Sequence, residues 1–354
     1  MAANIYDVLK HFNISGEPKP LGNGHINETY LVSDGGDYVL QKINKNVFHD
    51  PVAVMENVKA VTEHLKRKIS EAGGDPAKGT LNFIDTVEGL PYCLTENGDY
   101  YRAYVYVDGV KSYDVAESPD LLYQAARAFG KFQNMLADFP AGTLHEVIPS
   151  FHDTRKRFRD FKASVEKNAS GRAENVTDEI KFILDREDDC GVVIDALGSG
   201  ELPVRVTHND TKLNNVLFDE NTDEGVCVID LDTVMPGSLL YDFGDALRFA
   251  GSSGAEDEKD LSKIRFELEN FEYFTKGFLV ATPSITENEK ELLPFSVKLM
   301  TLECGMRFLA DYIDGDVYFK TAYPEHNLVR ARTQIKLVSE IEQKLDRMKA
   351  IVNK

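Results

Sequence analysis

No stretch restricts the architecture of this chain as tightly as residues 204–233, VRVTHNDTKLNNVLFDENTDEGVCVIDLDT. Its apolar runs are short, rich in Val and bounded by Asn, Asp and Gly, which is strand-and-turn texture. It reads as strand (VRVT), loop (HNDTKLN), strand (NVLFD), hairpin turn (ENTDEG) and strand (VCVID). Asp210, Asn215 and Asp230 then fall at strand ends, where their side chains can share one pocket. Phosphoryl transfer uses such a trio. One carboxylate positions the acceptor hydroxyl, and an amide oxygen with a second carboxylate holds magnesium on the phosphates.

Two different textures flank this hairpin. IYDVLKHF near the N-terminus reads as a short helix, and residues 21–43 as strand, glycine turn, strand, DGG turn and strand. Residues 50–69 carry apolar residues at helical spacing behind the start signal Asp50-Pro51. AGGDPAKG (72–79) reads as a loop, and LNFIDTV, PYCLTENG and YYRAYVYVDG as further strands. From Pro119 the pattern turns helical, with helices expected at 121–139, 151–168, 259–279, 286–312 and 328–352. At 354 residues the chain exceeds the ~250–300 at which a single core stops growing. The expectation is an α+β, bilobal fold: a strand-rich lobe over 1–107 and a larger, mainly helical lobe over 108–354, with a cleft between them.

Composition excludes several classes. A net charge of −19 repels phosphate backbones, so nucleic acid is not an expected partner. No apolar run approaches the ~18–20 residues needed to cross a bilayer, so no membrane partner is expected. MAANIYDVLKHFN has neither the basic start nor the apolar core of a signal peptide. Cys93, Cys190, Cys227 and Cys304 are scattered, which argues against a zinc site or a disulfide framework and favours a cytoplasmic location.

H-N-D-T-K-L-N-N resembles the H-x-D-x-x-x-x-N signature of the aminoglycoside phosphotransferase and choline kinase superfamily, which shares the protein-kinase fold. That resemblance implies ATP and magnesium as cofactors, Asp210 as the catalytic aspartate, and Asn215 and Asp230 as magnesium ligands. His208 would support the loop rather than move a proton. YDFGDALRF (241–249) contains the letters D-F-G, but Asp242 lies beyond the hairpin. In the superfamily an aspartate there braces the catalytic loop from a helix start. Asp232 is either a further metal ligand or an exposed carboxylate. A kinase-fold binding protein without turnover would have lost one of Asp210, Asn215 or Asp230, and all three are present.

In the first lobe Gly22 and Gly24 are candidates for approaching the nucleotide phosphates. Lys42 in YVLQKIN takes the place of the phosphate-contacting lysine of the kinase fold, with Glu56 its expected partner and Glu63 the rival. GHINETY, VLQKIN, VFHDPVAVMENV, HNDTKLNNVLFD, VIDLDTVMPGSLLYDFGDALRF and ECGMRFLADYIDGDVYF look like the bacterial N-acetylhexosamine 1-kinases, in order from Leu21 to Tyr318. That closer resemblance implies transfer from ATP to the anomeric hydroxyl of N-acetylglucosamine or N-acetylgalactosamine. Arg307, Tyr318, Phe249, His25 and Ile26 are then candidate sugar contacts. Arg307 could instead pair with Asp311 at helical spacing. Kinases of the same fold acting on choline, homoserine, methylthioribose or an aminoglycoside are the alternatives.

Overall fold

The structure is a computed structural model and describes residues 4–21 and 27–354. In the first lobe β1 (Lys19–Pro20), β2 (Glu28–Ser33), β3 (Asp37–Lys42), β4 (Phe83–Ile84), β5 (Cys93–Leu94) and β6 (Tyr100–Val105) form one antiparallel sheet. Its order is β1-β2-β3-β6-β4, with β5 on the other end of β6. The DGG turn joins β2 to β3 in register, pairing Ser33 with Asp37, and Gly35 takes φ +64°, which glycine adopts without strain. Helix α1 (Ile5–His11) covers one face of this sheet. Val8, Leu9 and Phe12 pack there on Val32, Leu40, Tyr101 and Ala103.

The opposite face turns toward α2 (Pro51–Glu71) and the second lobe. Asp50 caps α2 by accepting from the Val52 and Ala53 N–H groups, both at 3.1 Å, as the Asp-Pro signal leads one to expect. The 72–79 loop holds one short turn of helix, α3 (Pro76–Gly79). LNFIDTV and PYCLTENG contribute only two-residue strands, because each pairs with β6 over just that length.

The second lobe is built on α4 (Pro119–Met135), α5 (Thr154–Lys167), α6 (Thr177–Leu184), α7 (Val192–Ser199), α8 (Leu239–Ala250), α9 (Leu268–Ala281), α10 (Glu287–Asp314) and α11 (His326–Val352). Two small sheets interrupt it: β7 (Val110–Lys111) with β9 (Val216–Asp219) and β10 (Gly225–Val228), and β8 (Arg205–Thr207) with β11 (Met235–Gly237). A strand-rich lobe followed by a helical one is the expected kinase-like plan. The helix expected at 259–279 starts only at Leu268, since residues 261–263 form a separate tight turn capped by Asp260. Helices α6 and α7 were not expected. Among the described residues no helix is long and apolar enough to cross a membrane, and the four cysteines are free thiols.

Helix α8, which carries YDFGDALRF, rests on α10 through Gly244. A Cβ there would meet the Ser296 carbonyl oxygen, and the Met300 Cγ at 2.6 Å. Both are held in a buried helix, so Gly244→Ala must push α8 away. It is expected to destabilise the fold by about 1–3 kcal/mol. The urea midpoint should fall at unchanged slope; an unmoved midpoint would contradict this packing.

Candidate active site

Between β8 and β9 the chain makes a loop whose shape is imposed from α8. Asp242, buried in the first turn of that helix, accepts from the His208 N–H (2.9 Å) and the Gln133 amide (2.6 Å) through Oδ2. Its Oδ1 accepts from the Asn209 N–H at 2.8 Å, and its backbone carbonyl accepts from the Thr211 hydroxyl at 2.7 Å. Asp242 therefore braces the loop, with both carboxylate oxygens taken up by N–H donors. The His208 ring is committed at both nitrogens: Nε2 meets the Ile229 carbonyl at 2.8 Å and Nδ1 accepts from the Asp210 N–H at 3.2 Å. With Nε2 as donor and Nδ1 as acceptor it is a neutral strut.

This bracing presents Asp210 at the cleft with part of its carboxylate exposed. The Lys212 ammonium lies 2.6 Å from Oδ1. The Asn215 side-chain amide donates to the Asp210 carbonyl (2.7 Å) and to Oδ2 (3.1 Å). With Nδ2 so engaged, the Asn215 Oδ1 has no protein donor among the described residues. The Ile229 N–H donates to the Asn215 carbonyl at 2.9 Å, which brings Asp230 alongside. The sequence-predicted trio is thus assembled in one place.

Asp230 fits a cation. Its half-buried carboxylate has no hydrogen bond or ion pair among the described residues. Its pKa is pushed up to about 6, first by burial and then by the Asp232 and Asp210 carboxylates, with Arg102 pulling the other way. No three carboxylate, histidine or cysteine side chains converge as a cage among the described residues. Magnesium needs none, since it takes one or two carboxylates with phosphate oxygens and water. Asp230 and the free Asn215 Oδ1 fit that donor set.

A pH dependence follows. A carboxyl whose folded pKa lies above its ordinary value disfavours the metal-free fold as pH rises from about 4 to about 6, and a bound cation removes that penalty. Asp230 should be about nine-tenths ionised at pH 7 and about one-tenth at pH 5, so magnesium affinity should fall about tenfold between them. Titrating magnesium at saturating ADP in a calorimeter at the two pH values checks this; equal affinities would contradict it.

Asp232 is not an exposed carboxylate, contrary to one of the two expectations. It is buried, ion-paired to Arg102, and accepts from the Asn27 amide at 2.7 Å. Lys42 and Glu56 are not brought together. Lys42 shares its sheet face with Leu40 and Tyr101, under α1, and its ammonium lies 3.1 Å from Asp99 and 3.8 Å from Glu28. Glu56 points to solvent and meets His145 Nε2 at 2.7 Å, while Glu63 pairs with Lys66. Gly22, Gly24, His25 and Ile26 lie outside the described residues.

In the second lobe Arg307 pairs loosely with Glu303 at 3.9 Å, not with Asp311. Its guanidinium stands 5.5 Å from the Phe151 ring, 5.9 Å from Tyr318 and 5.5 Å from Phe319. Asp311 instead accepts from the backbone N–H groups of Val317, Tyr318 and Phe319 at 2.9, 2.7 and 2.9 Å. It thereby fixes the exposed Tyr318 beside Arg307. Phe249 is 37% exposed, with the Arg248 guanidinium 3.8 Å from its ring centroid. Sequence reasoning missed Lys212, Arg248 and its partner Asp245, 3.1 Å away. Lys212 and Asp245 were within reach of it, lying two positions past Asp210 and three past Asp242.

The whole chain superposes on a microcompartment-associated aminopropanol kinase at a TM-score of 0.62, with 17% identity over 98% of each chain. A spectinomycin phosphotransferase, solved in complex with ADP and spectinomycin, gives 0.58 at 16% identity over 97% of this chain and 98% of that one. Choline kinase from Cryptosporidium parvum Iowa II gives 0.56 at 16% identity over 99% and 98%. These likenesses show the fold. Residues 17–272 match the model of the APH phosphotransferase enzyme family, and that share of the sequence, with the braced H-N-D loop inside it, makes the chain a member of the family.

Proposed function

We propose that the protein transfers the γ-phosphoryl group of ATP to the anomeric hydroxyl of N-acetylhexosamines, giving the sugar 1-phosphate. The observation that carries the reading is the Asp210 carboxylate, partly exposed and held at both oxygens by Lys212 and Asn215. A carboxylate so oriented accepts the acceptor O–H and receives its proton as the new P–O bond forms. The transfer is loose, so positioning matters more than base strength. Lys212 places a positive charge where negative charge grows on the transferred group. Asn215 Oδ1 and Asp230 would hold magnesium, which when bound neutralises the phosphate oxygens.

The acceptor assignment rests on Arg307 with Tyr318 beside it, a guanidinium with an aromatic face of the kind that reads ring hydroxyls, and on the exposed Phe249 ring against Arg248. Initial rates of ADP release with N-acetylglucosamine, N-acetylgalactosamine, glucose, galactose, choline, homoserine and kanamycin test this. The acetylated sugars should lead, and turnover only with an amine-bearing acceptor would overturn the reading. Arg307→Ala should raise the KM for the sugar about tenfold or more with kcat within about threefold, the mark of lost uniform binding. An unchanged KM would remove Arg307 from the sugar site.

A further inference from the structure

The kinase fold ordinarily brings a lysine from the first lobe to the nucleotide, and Lys42 points the wrong way for that task. The row of side chains on the cleft-facing side of the sheet is Thr29, Gln41 and Arg102, adjacent across β2, β3 and β6. Gln41 donates to the Thr29 hydroxyl at 3.1 Å and accepts from Arg102 Nε and Nη2 at 3.0 and 2.8 Å. Arg102 is 3% exposed, lies 5.6 Å from the Phe83 ring centroid, and sends Nη1 across the cleft to Asp232. The second Asp232 oxygen takes the Asn27 amide, whose own oxygen accepts from the Asn44 N–H at 3.0 Å.

Asp232 belongs to the turn that presents Asp230. Asp230 sits there at φ 59°, ψ 57°, a left-handed conformation that a non-glycine residue keeps only when its surroundings enforce it. From the second lobe the turn is held by the Thr233 hydroxyl on the His208 carbonyl (2.6 Å) and by the Asn209 amide on the Thr233 carbonyl (2.8 Å). From the first lobe the buried α2 residue Asn57 holds the Val234 carbonyl at 2.9 Å. Closest to Asp230, the hold from the first lobe is Asp232 on Arg102 and Asn27.

We propose that Arg102, not Lys42, is the first lobe's cation for the magnesium–nucleotide site, acting as a positioning residue that clamps Asp232 and so fixes the Asp230 turn. The inference rests on the phosphotransferase reading above. Nearly all of the guanidinium's donors are already committed, so it acts through the turn rather than on a phosphate. The same pair ties the two lobes together beside the Asp230 turn.

The test is calorimetry of ADP binding with and without magnesium, for wild type, Arg102→Lys, Arg102→Met, Lys42→Met and the double variant Arg102→Met/Asp232→Asn. Arg102→Met should weaken magnesium-dependent binding about tenfold or more while metal-free ADP binding stays within about twofold, since the outer-shell support of a metal ligand is worth that much. Arg102→Lys should not rescue it, because an ammonium cannot bridge Gln41 and Asp232 as the planar fork does. The double variant should be no worse than Arg102→Met, as expected of two residues acting as one unit. It also guards against an unfolded single variant, since it leaves no buried unpaired carboxylate. Lys42→Met should match wild type.

A folded Arg102→Met or double variant with wild-type magnesium dependence would overturn the inference. So would loss of that dependence in Lys42→Met. Wild type that shows no magnesium-dependent nucleotide binding would instead take down the reading beneath it, and the inference with it.

Discussion

Asp210→Asn is expected to lower kcat about a thousandfold, the usual scale for removing a positioned general base. The amide keeps one acceptor oxygen, but its NH2 group must face either Lys212 or Asn215, both of which donate to Asp210. The acceptor hydroxyl then loses both its orientation and its proton sink. Magnesium-dependent ADP binding should stay within about threefold, because Asp210 is not among the proposed ligands. A variant turning over within about tenfold of wild type would remove Asp210 from the chemistry.

Asp242→Asn should be the most damaging substitution away from the reacting atoms. One buried carboxylate takes the N–H groups of His208 and Asn209 and the Gln133 amide. Burial raises the pKa of this carboxyl, opposed by the hydrogen bonds from the two backbone N–H groups and the Gln133 amide. An asparagine would turn an N–H toward a donor that has no other partner, so a loss of about 3–5 kcal/mol is expected, as for breaking a buried charged network. Chemical denaturation reads the loss, and turnover of the remaining folded protein should fall as well, since Asp210 follows directly on the braced segment. Wild-type stability with wild-type turnover would show that α8 does not set the loop.

These contrasts show which parts of the site the sequence could disclose. His208, Asp210, Asn215 and Asp230 flank the single β9–β10 hairpin, which folds back on itself and brings its two ends together, so their spacing along the chain is close to their arrangement in space. Asp242 could be separated from the proposed metal ligands for the same reason, by its place past the hairpin. In the first lobe the side chains beside two of the chosen residues are the ones turned toward the cleft: Gln41 next to Lys42, and Asn57 next to Glu56. Strand β3 is covered on both sides, with Val39 and Leu40 both buried. Its apolar residues do not alternate, and a one-residue error reverses the face. Asn57 is defined by partners at His145 and Val234, far along the chain. Arg102 was invisible for the same reason, its partner Asp232 lying 130 residues away. Asp311 was considered as the partner of Arg307; its caps on Val317, Tyr318 and Phe319 bridge a helix end that sequence spacing describes poorly.

Phosphorus NMR on the product formed from N-acetylglucosamine, ATP and magnesium tests the proposed reaction most directly, run beside the methyl glycoside of the same sugar, which lacks a free anomeric hydroxyl. The expected result is a phosphate signal coupled to the anomeric proton, with no product from the methyl glycoside. A phosphate on any other carbon, or equal turnover of the methyl glycoside, would contradict transfer to the anomeric oxygen.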